Sequence, residues 1–395
     1  MPTPRQDAPP CQRLSQALDA EGMGEPTLVV DLDALERNID ALRQLIPPGQ
    51  SLRLVQKSIP SLPLLCFIIE RLPCQRLMVF HRPWLNHYAH HAPDLDLLLG
   101  KPMPVAAARA YYRDAGIAAG TGPHWLIDTP ERLRQYLDLA LDLKRRLSLC
   151  LEIDVGLHRG GVSSPDALDP MLDLIRQHPQ ALRWWGFMGY DAHAAKAPWW
   201  SSPSRAVRQS QARYRAFIDH AQTRHPDVWR DDLIFNGAGS PTVALHDATS
   251  PLNDVAVGSA LLKPADFDVP TLAAFTPALW LAVPVLKVSP QLEVPFVAPL
   301  SRWLGRHLSA RAQSVYLYGG RFMAQPVWPR GLRELSIVGR SSNQQLMTLP
   351  ATPALRPDDW TFWRPTQSEQ ALLHHGDVLG VRGDRVVARF AVDPG

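Results

Sequence analysis

Eight short apolar runs, separated by turns or by stretches with helical spacing, constrain this chain more than any other feature. They are LRLVQK (52–57), RLMVFH (76–81), LDLLLG (95–100), HWLID (124–128), LSLCLEIDVG (147–156), WWGFMGY (184–190), DLIFNG (232–237) and DVAVGSALL (254–262). Runs of this length bounded by turn residues read as strands buried on both faces. PERLRQYLDLALDLKRRL (130–147) and SRAVRQSQARYRAFIDHAQTRH (204–225) supply the helical pattern between them. Strands alternating with helices predict an α/β fold, a parallel (β/α)8 barrel of the TIM type.

The texture changes on either side of that repeat. TLVVDLDALERNIDALRQL (27–45) begins as a strand and becomes a helix, with Leu35, Ile39, Leu42 and Leu45 on one face and Asp33 placed to cap it. Beyond about residue 275 the segments 279–297, 314–322, 333–350 and 377–393 are strand-like, and GDRV (383–386) reads as a hairpin turn. The expected organisation is a loose N-terminal arm over 1–25, the barrel over 26–275, and a C-terminal, mainly-β domain over 276–395. The first strand, near 27–31, is open to assignment to the β domain instead.

Bulk properties narrow the function classes. A chain of 395 residues can hold two cores, and 46% hydrophobic with 20% charged residues is ordinary for a globular protein. The net charge of +3 is small and the basic residues are scattered, so no nucleic-acid partner is expected. No uninterrupted apolar run is long enough to span a membrane, and MPTPRQDAPP does not resemble a signal peptide, so the cytoplasm is the expected compartment. Cys11, Cys66, Cys74 and Cys150 form no C-x-x-C pair and are expected as free, mostly buried thiols.

Chemistry concentrates at the ends of the predicted strands, where barrel enzymes place it. Lys57 ends the first barrel strand, and a lysine there can form a Schiff base and then act as a base. In NGAGSPT (236–242), Gly237 and Gly239 let backbone approach an anion, with Ser240 and Thr242 as hydroxyl donors. Gly258 and Ser259, one strand later, would close the same cradle. Arg159 follows the fifth strand and can bond a phenolate-type oxygen or, alternatively, a salt-bridge partner at Asp154. Tyr190 offers a flat face for stacking on a pyridine ring, and His193 lies three residues on. An ordinary strand-end lysine, structural turns and a core tyrosine are the plain alternatives for each part taken alone.

Together these motifs resemble the fold-type III pyridoxal phosphate enzymes, in the D-threonine aldolase and D-serine dehydratase-like branch of the alanine racemase N-terminal-domain superfamily. PTLVVDLDALERNI is similar to the family's "TPxLVLDLxxxxxNI", LRLVQK to "LRPHxKTHK", LEIDVGLHRGGV to "VEVDxGxxRxGV", GYDAH to "xYxGH", and GAGSPT and VGSALL to "GGGSPT" and "xGSY". The resemblance implies pyridoxal 5'-phosphate held as a Schiff base by Lys57 and contacted by Arg53, Arg159, Tyr190, Gly237, Gly239, Ser240, Gly258 and Ser259. It further implies a lyase: aldol-type cleavage or β-elimination of a β-hydroxy D-amino acid, with Lys57 and His193 as catalytic groups, in a homodimer. Amino-acid racemisation or epimerisation, and non-catalytic cofactor binding, are the alternatives.

The departures from the family pattern bear on substrate. Val55 and Gln56 stand where the family has a histidine before the lysine, Ala260 replaces its tyrosine, and Ala256 replaces the arginine of alanine racemases. The branch's C-terminal "PxHxC" or "PxHxD" metal motif has no counterpart in 362–377, where Thr366, Gln367 and Ser368 stand. Adjacent His374 and His375 on a strand would face opposite ways. A divalent metal is therefore not expected. Tyr316 or Tyr318 is a candidate opposing base for a racemase.

Overall fold

A computed structural model of the protein describes residues 10–114, 122–289, 312–335, 339–350 and 354–394. The expected strand continuation over 290–297 lies outside the described residues. Along the chain run α1 (Cys11–Ala20), β1 (Thr27–Asp31), α2 (Leu32–Leu45), β2 (Ser51–Val55), α3 (Leu62–Ile69), β3 (Arg76–Val79), α4 (Arg82–His91), β4 (Asp96–Leu99) and α5 (Val105–Asp114). Then come β5 (His124–Ile127), α6 (Pro130–Leu143), β6 (Leu147–Glu152), α7 (Asp169–Gln177), β7 (Leu182–Gly189), α8 (Pro203–Arg224), β8 (Ile234–Gly237), β9 (Asp254–Val257) and the one-turn helix α9 (Ser259–Leu262). The rest is β10 (Leu279–Ser289), β11 (Ala312–Tyr318), β12 (Ala324–Trp328), β13 (Arg333–Glu334), β14 (Gln344–Pro350), β15 (Trp360–Pro365), α10 (Ser368–His375), β16 (Val378–Arg382) and β17 (Arg385–Phe390).

The chain forms two compact units: 1–37, 262–266 and 276–392 make one, and 38–261, 267–275 and 393–395 the other. In the second unit β2 to β9 close a parallel barrel, the last register pairing Leu52 with Val255 and Leu54 with Val257. All eight predicted strands are present. Local chemistry starts the helices that return between them. Ser61, Thr129 and Ser202 each accept a hydrogen bond from the backbone N–H three residues on, and a proline occupies the first turn.

The barrel interior holds a polar layer as well as an apolar one. Arg53, with no exposure, donates to both oxygens of Asp254 (2.8 Å from Nη2), to the Asp96 carboxylate (2.8 Å) and to the Leu77 carbonyl (3.1 Å). Its guanidinium lies 5.2 Å from the Trp185 ring, which in turn stacks on His124 at 4.1 Å. Asn236 donates to Asp254 at 2.7 Å. Burial alone would raise Asp96, but hydrogen bonding from His124 and the charge of Arg53 hold it well below the usual carboxylate range.

The other unit is a mainly antiparallel sheet in the order β13-β14-β11-β10-β1-β16-β17, with β15 pairing both β10 and β12. β1 joins this sheet, antiparallel to β10 and parallel to β16. The stretch expected as a loose arm is in part a helix: α1 buries Cys11, Leu14, Ala17 and Leu18 against Val29, Trp280, Ala282, Trp360 and Phe362. Apolar residues at positions 11, 14, 17 and 18 give it one coherent face. Gly383 and Asp384 form the turn between β16 and β17, as the GDRV motif predicts. Three of the four free cysteines are buried and Cys66 is exposed. No helix among the described residues is long and apolar enough to cross a membrane.

Candidate active site

The site is assembled by loops that leave the C-terminal ends of the barrel strands. After β2 the chain makes a single 3-10 turn, Gln56–Ser58, which carries Lys57. The Lys57 Nζ lies 4.7 Å from the centre of the Phe80 ring, and Phe80 follows β3 directly. Gly258, following β9, closes on this turn: a Cβ there would fall 2.7 Å from the Val55 carbonyl oxygen and 3.0 Å from the Ser58 Cβ. Only glycine permits that approach. The Ser58 and Ser259 hydroxyls are 2.9 Å apart.

The turn after β8 is tied to the same place. Ser240 Oγ accepts hydrogen bonds from the Gly258 N–H (3.2 Å) and the Ala260 N–H (3.0 Å). Gly239 abuts Tyr190, whose ring a Cβ would meet at 2.6 Å. Gly237 packs on Gly189 of β7. The Arg159 guanidinium carbon lies 5.3 Å from the centre of the Tyr190 ring. Burial, then the charge of Asp191, raises the Tyr190 phenol, and Arg159 opposes them. Thus the turn that carries Lys57 forms one cluster with Ser240, Gly258 and Ser259 through Val55 and Ser58; Arg159, Tyr190 and Gly239 form a second, and the 239–240 peptide joins them.

Some expected roles change. Thr242 is buried and donates to Asp191 at 2.7 Å, so its hydroxyl anchors the turn instead of facing a ligand. Asp191 also bonds His246 Nε2 at 2.8 Å. Asp191 and His246 therefore brace the NGAGSPT turn, and nothing in either side chain's local sequence signals it. Arg53 is separate from this cluster: its guanidinium is committed to Asp254, Asp96 and Leu77 inside the barrel, which leaves the expected cofactor contact without geometric support. Asp154 pairs with His158 at 2.6 Å, not with Arg159.

His193 lies on the turn after β7, with Nε2 3.4 Å from Ser210 Oγ and Nδ1 buried without a partner. An added Cβ on Gly156 would fall 3.1 Å from its Nε2. Burial lowers its pKa, and Arg213 and His158 lower it further, although Asp191 opposes them. Among the described residues, no hydrogen bond or ion pair joins it to Lys57. Two further acids stand at strand ends: Glu152 on β6, and Asp128 just past β5, whose Oδ1 is buried without a partner. Burial, then Asp128, raises Glu152, while Arg159 pulls it down.

In the C-terminal region, Thr366 donates to the Met323 carbonyl (3.0 Å) and Gln367 to Asp266 (2.7 Å). His374 and His375 lie on helix α10, where a strand was expected, and His374 bonds Gln370 one turn back.

An amine, two glycine turns, three hydroxyls, a guanidinium and an aromatic face are a donor set that fits a phosphorylated aromatic aldehyde. The family model of the alanine racemase N-terminal domain matches residues 30–265. This chain belongs to that family. Its architecture is that of the fold-type III pyridoxal phosphate enzymes. Solved structures with the same fold include an alanine racemase from Clostridium difficile 630 (13% identity, TM-score 0.70, 94% of this chain and 99% of that one). A D-threonine aldolase from Filomicrobium marinum (16%, 0.71, 94% and 95%) and a D-threo-3-hydroxyaspartate dehydratase from Delftia sp. HT23 (14%, 0.73, 94% and 98%) share it too. No curated protein sequence matches the chain.

Proposed function

We propose that this protein is a pyridoxal phosphate-dependent enzyme that acts on a D-amino acid bearing a β-hydroxyl, by aldol-type cleavage or β-elimination. The observation that carries the proposal is the joining of the Lys57 turn to both glycine turns through Ser240, Gly258 and the Ser58–Ser259 pair. When bound, the cofactor supplies an electron sink for the bond broken at the substrate Cα. Lys57 would hold the cofactor covalently and, once freed, carry a proton to or from Cα. Ser240, Gly258 and Ser259 would bind its phosphate, Tyr190 would cover one ring face, and Arg159 would bond the phenolic oxygen.

His193 would take the β-hydroxyl proton, and its lowered pKa favours the neutral imidazole that this role needs. The lyase reading draws support from the aldolase and dehydratase among the structural neighbours and from Ala256 in place of the racemases' arginine. Racemisation is the second reading, supported by the alanine racemase neighbours. A cytoplasmic homodimer is part of the proposal, since the branch it resembles is dimeric.

The test is direct. The purified protein, with pyridoxal phosphate added, is treated with borohydride and its peptides are mapped. A pyridoxyl group on Lys57 is the expected result. A colourless protein that takes up no cofactor would overturn the proposal. Product release from a panel of D-amino acids (aldehyde, ammonia or the other enantiomer) then separates aldolase, dehydratase and racemase.

A further inference from the structure

Three side chains that take no part in the candidate active site meet on the helical ring of the barrel unit. Asp169 is the first residue of α7; His220 is near the end of α8, and His225 caps it. His220 Nε2 lies 2.6 Å and His225 Nε2 2.8 Å from the same Asp169 oxygen, and the three ligand atoms fall within 4.8 Å of one another. Helical spacing alone would not bring His220 and His225 together, because five residues at 3.6 per turn set two side chains about 140° apart around the axis. The chain leaves helical geometry at His225 (φ −129°, ψ 54°), which returns its ring to the same side.

The other nitrogen of each ring also faces a carboxylate. His220 Nδ1 is 3.7 Å from Asp166, and His225 Nδ1 is 3.9 Å from Asp173. Asp169 and Asp173 are one turn apart on α7, and Asp166 lies in the 3-10 turn just before that helix. A neutral imidazole has one donor and one acceptor nitrogen. Both Nε2 atoms converge on one Asp169 oxygen, while each Nδ1 has a second carboxylate within 4 Å, beyond direct hydrogen-bond reach. Two extra protons would satisfy both rings; so would one cation on the Nε2 side, with both Nδ1–H groups directed at Asp166 and Asp173. That second arrangement is how metal-bound histidines are ordinarily oriented.

The imidazoles are largely covered (side chains 14% and 7% exposed) while Asp169 is 30% exposed, so a fourth position is open to water. We propose that Asp169, His220 and His225 bind a first-row divalent cation, zinc foremost, which clamps the start of α7 to the end of α8. Two imidazoles and one carboxylate select zinc-like ions over magnesium or calcium, which prefer all-oxygen shells. The role is structural. Ser210, beside His193, lies ten residues back along α8 from His220, about 15 Å at 1.5 Å per residue.

The purified full-length chain, stripped with chelator, is titrated with zinc chloride and with cobalt chloride. One bound zinc per chain, a raised melting temperature and tetrahedral cobalt absorption are expected. The His220→Asn/His225→Asn variant should lose that equivalent, and Asp173→Asn should weaken it about tenfold. No zinc bound by the wild type at about 100 µM, or the same equivalent retained by the double variant, would overturn the proposal and leave the three as an ion-pair cluster only. If the double variant does not fold, X-ray absorption of the zinc-loaded wild type decides: two imidazoles with one carboxylate support the site, and any other shell refutes it.

Discussion

Arg53 and Lys57 lie four residues apart and differ in kind. Lys57 is half-buried at the strand end, whereas Arg53 is enclosed within the barrel by acids that lie 43 and 201 residues away in sequence. From sequence both read as cofactor contacts, Arg53 through the family resemblance alone; a strand's alternation shows which residues point inward but not how far along the barrel axis they lie. The Asp254 and Asp96 partners have no local signature. This gives a prediction with a sign. Asp96 is held below the usual carboxylate range, so its contribution is complete above about pH 4 and is lost as pH falls through that range toward its folded value. Asp96→Asn should cost about 1–3 kcal/mol at pH 7, and urea unfolding should show the gap to wild type closing below pH 4. A gap independent of pH would refute the assignment. Gly258→Ala tests the other residue: its Cβ would press on Val55 and Ser58 at 2.7–3.0 Å. It should weaken pyridoxal phosphate binding at least tenfold, read by fluorescence titration, while circular dichroism stays native.

At the scale of elements, the eight barrel strands are legible because each is a short apolar run between turn signals, and burial on both faces demands that pattern. Helix α1 is less legible. Its apolar face is only Cys11, Leu14, Ala17 and Leu18, and it follows a proline-rich segment that suggests a tail. Its existence depends on an apolar sheet surface supplied by β1, β10 and β15, which no local window contains. The same limitation applies to His374 and His375, read as strand neighbours but placed on α10. If α1 is part of the core, Leu14→Ala should destabilise the protein by about 2–4 kcal/mol, as for other buried leucines. Chemical denaturation monitored by tryptophan fluorescence suits the measurement, because Trp280 and Trp360 belong to the cluster that α1 covers. An unchanged midpoint would mean that the helix adds nothing to the core.

At the scale of the whole molecule, the last described residues, which follow β17 of the sheet unit, belong to the barrel unit, and their sequence gives no hint of it. Asp393 is buried there. Its N–H donates to the Pro60 carbonyl (2.8 Å), and its carboxylate accepts from the Leu62 N–H (2.7 Å), from Gln56 Nε2 (3.2 Å) and from the Tyr88 hydroxyl. Burial, followed by the charge of Asp393, pushes the Tyr88 phenol well above its ordinary value. Gln56 is the residue before Lys57, so the carboxylate holds the turn that carries Lys57. Asp393→Ala would strand the Tyr88 and Gln56 donors in a buried site, at about 1–3 kcal/mol for each unpaired group. The expected outcome is a lower melting temperature together with slower and less complete borohydride labelling of Lys57, and Asp393→Asn, which keeps the acceptor oxygen, should recover part of both. A variant that melts early but labels Lys57 at the wild-type rate would show that Asp393 supports the fold alone and does not position the lysine.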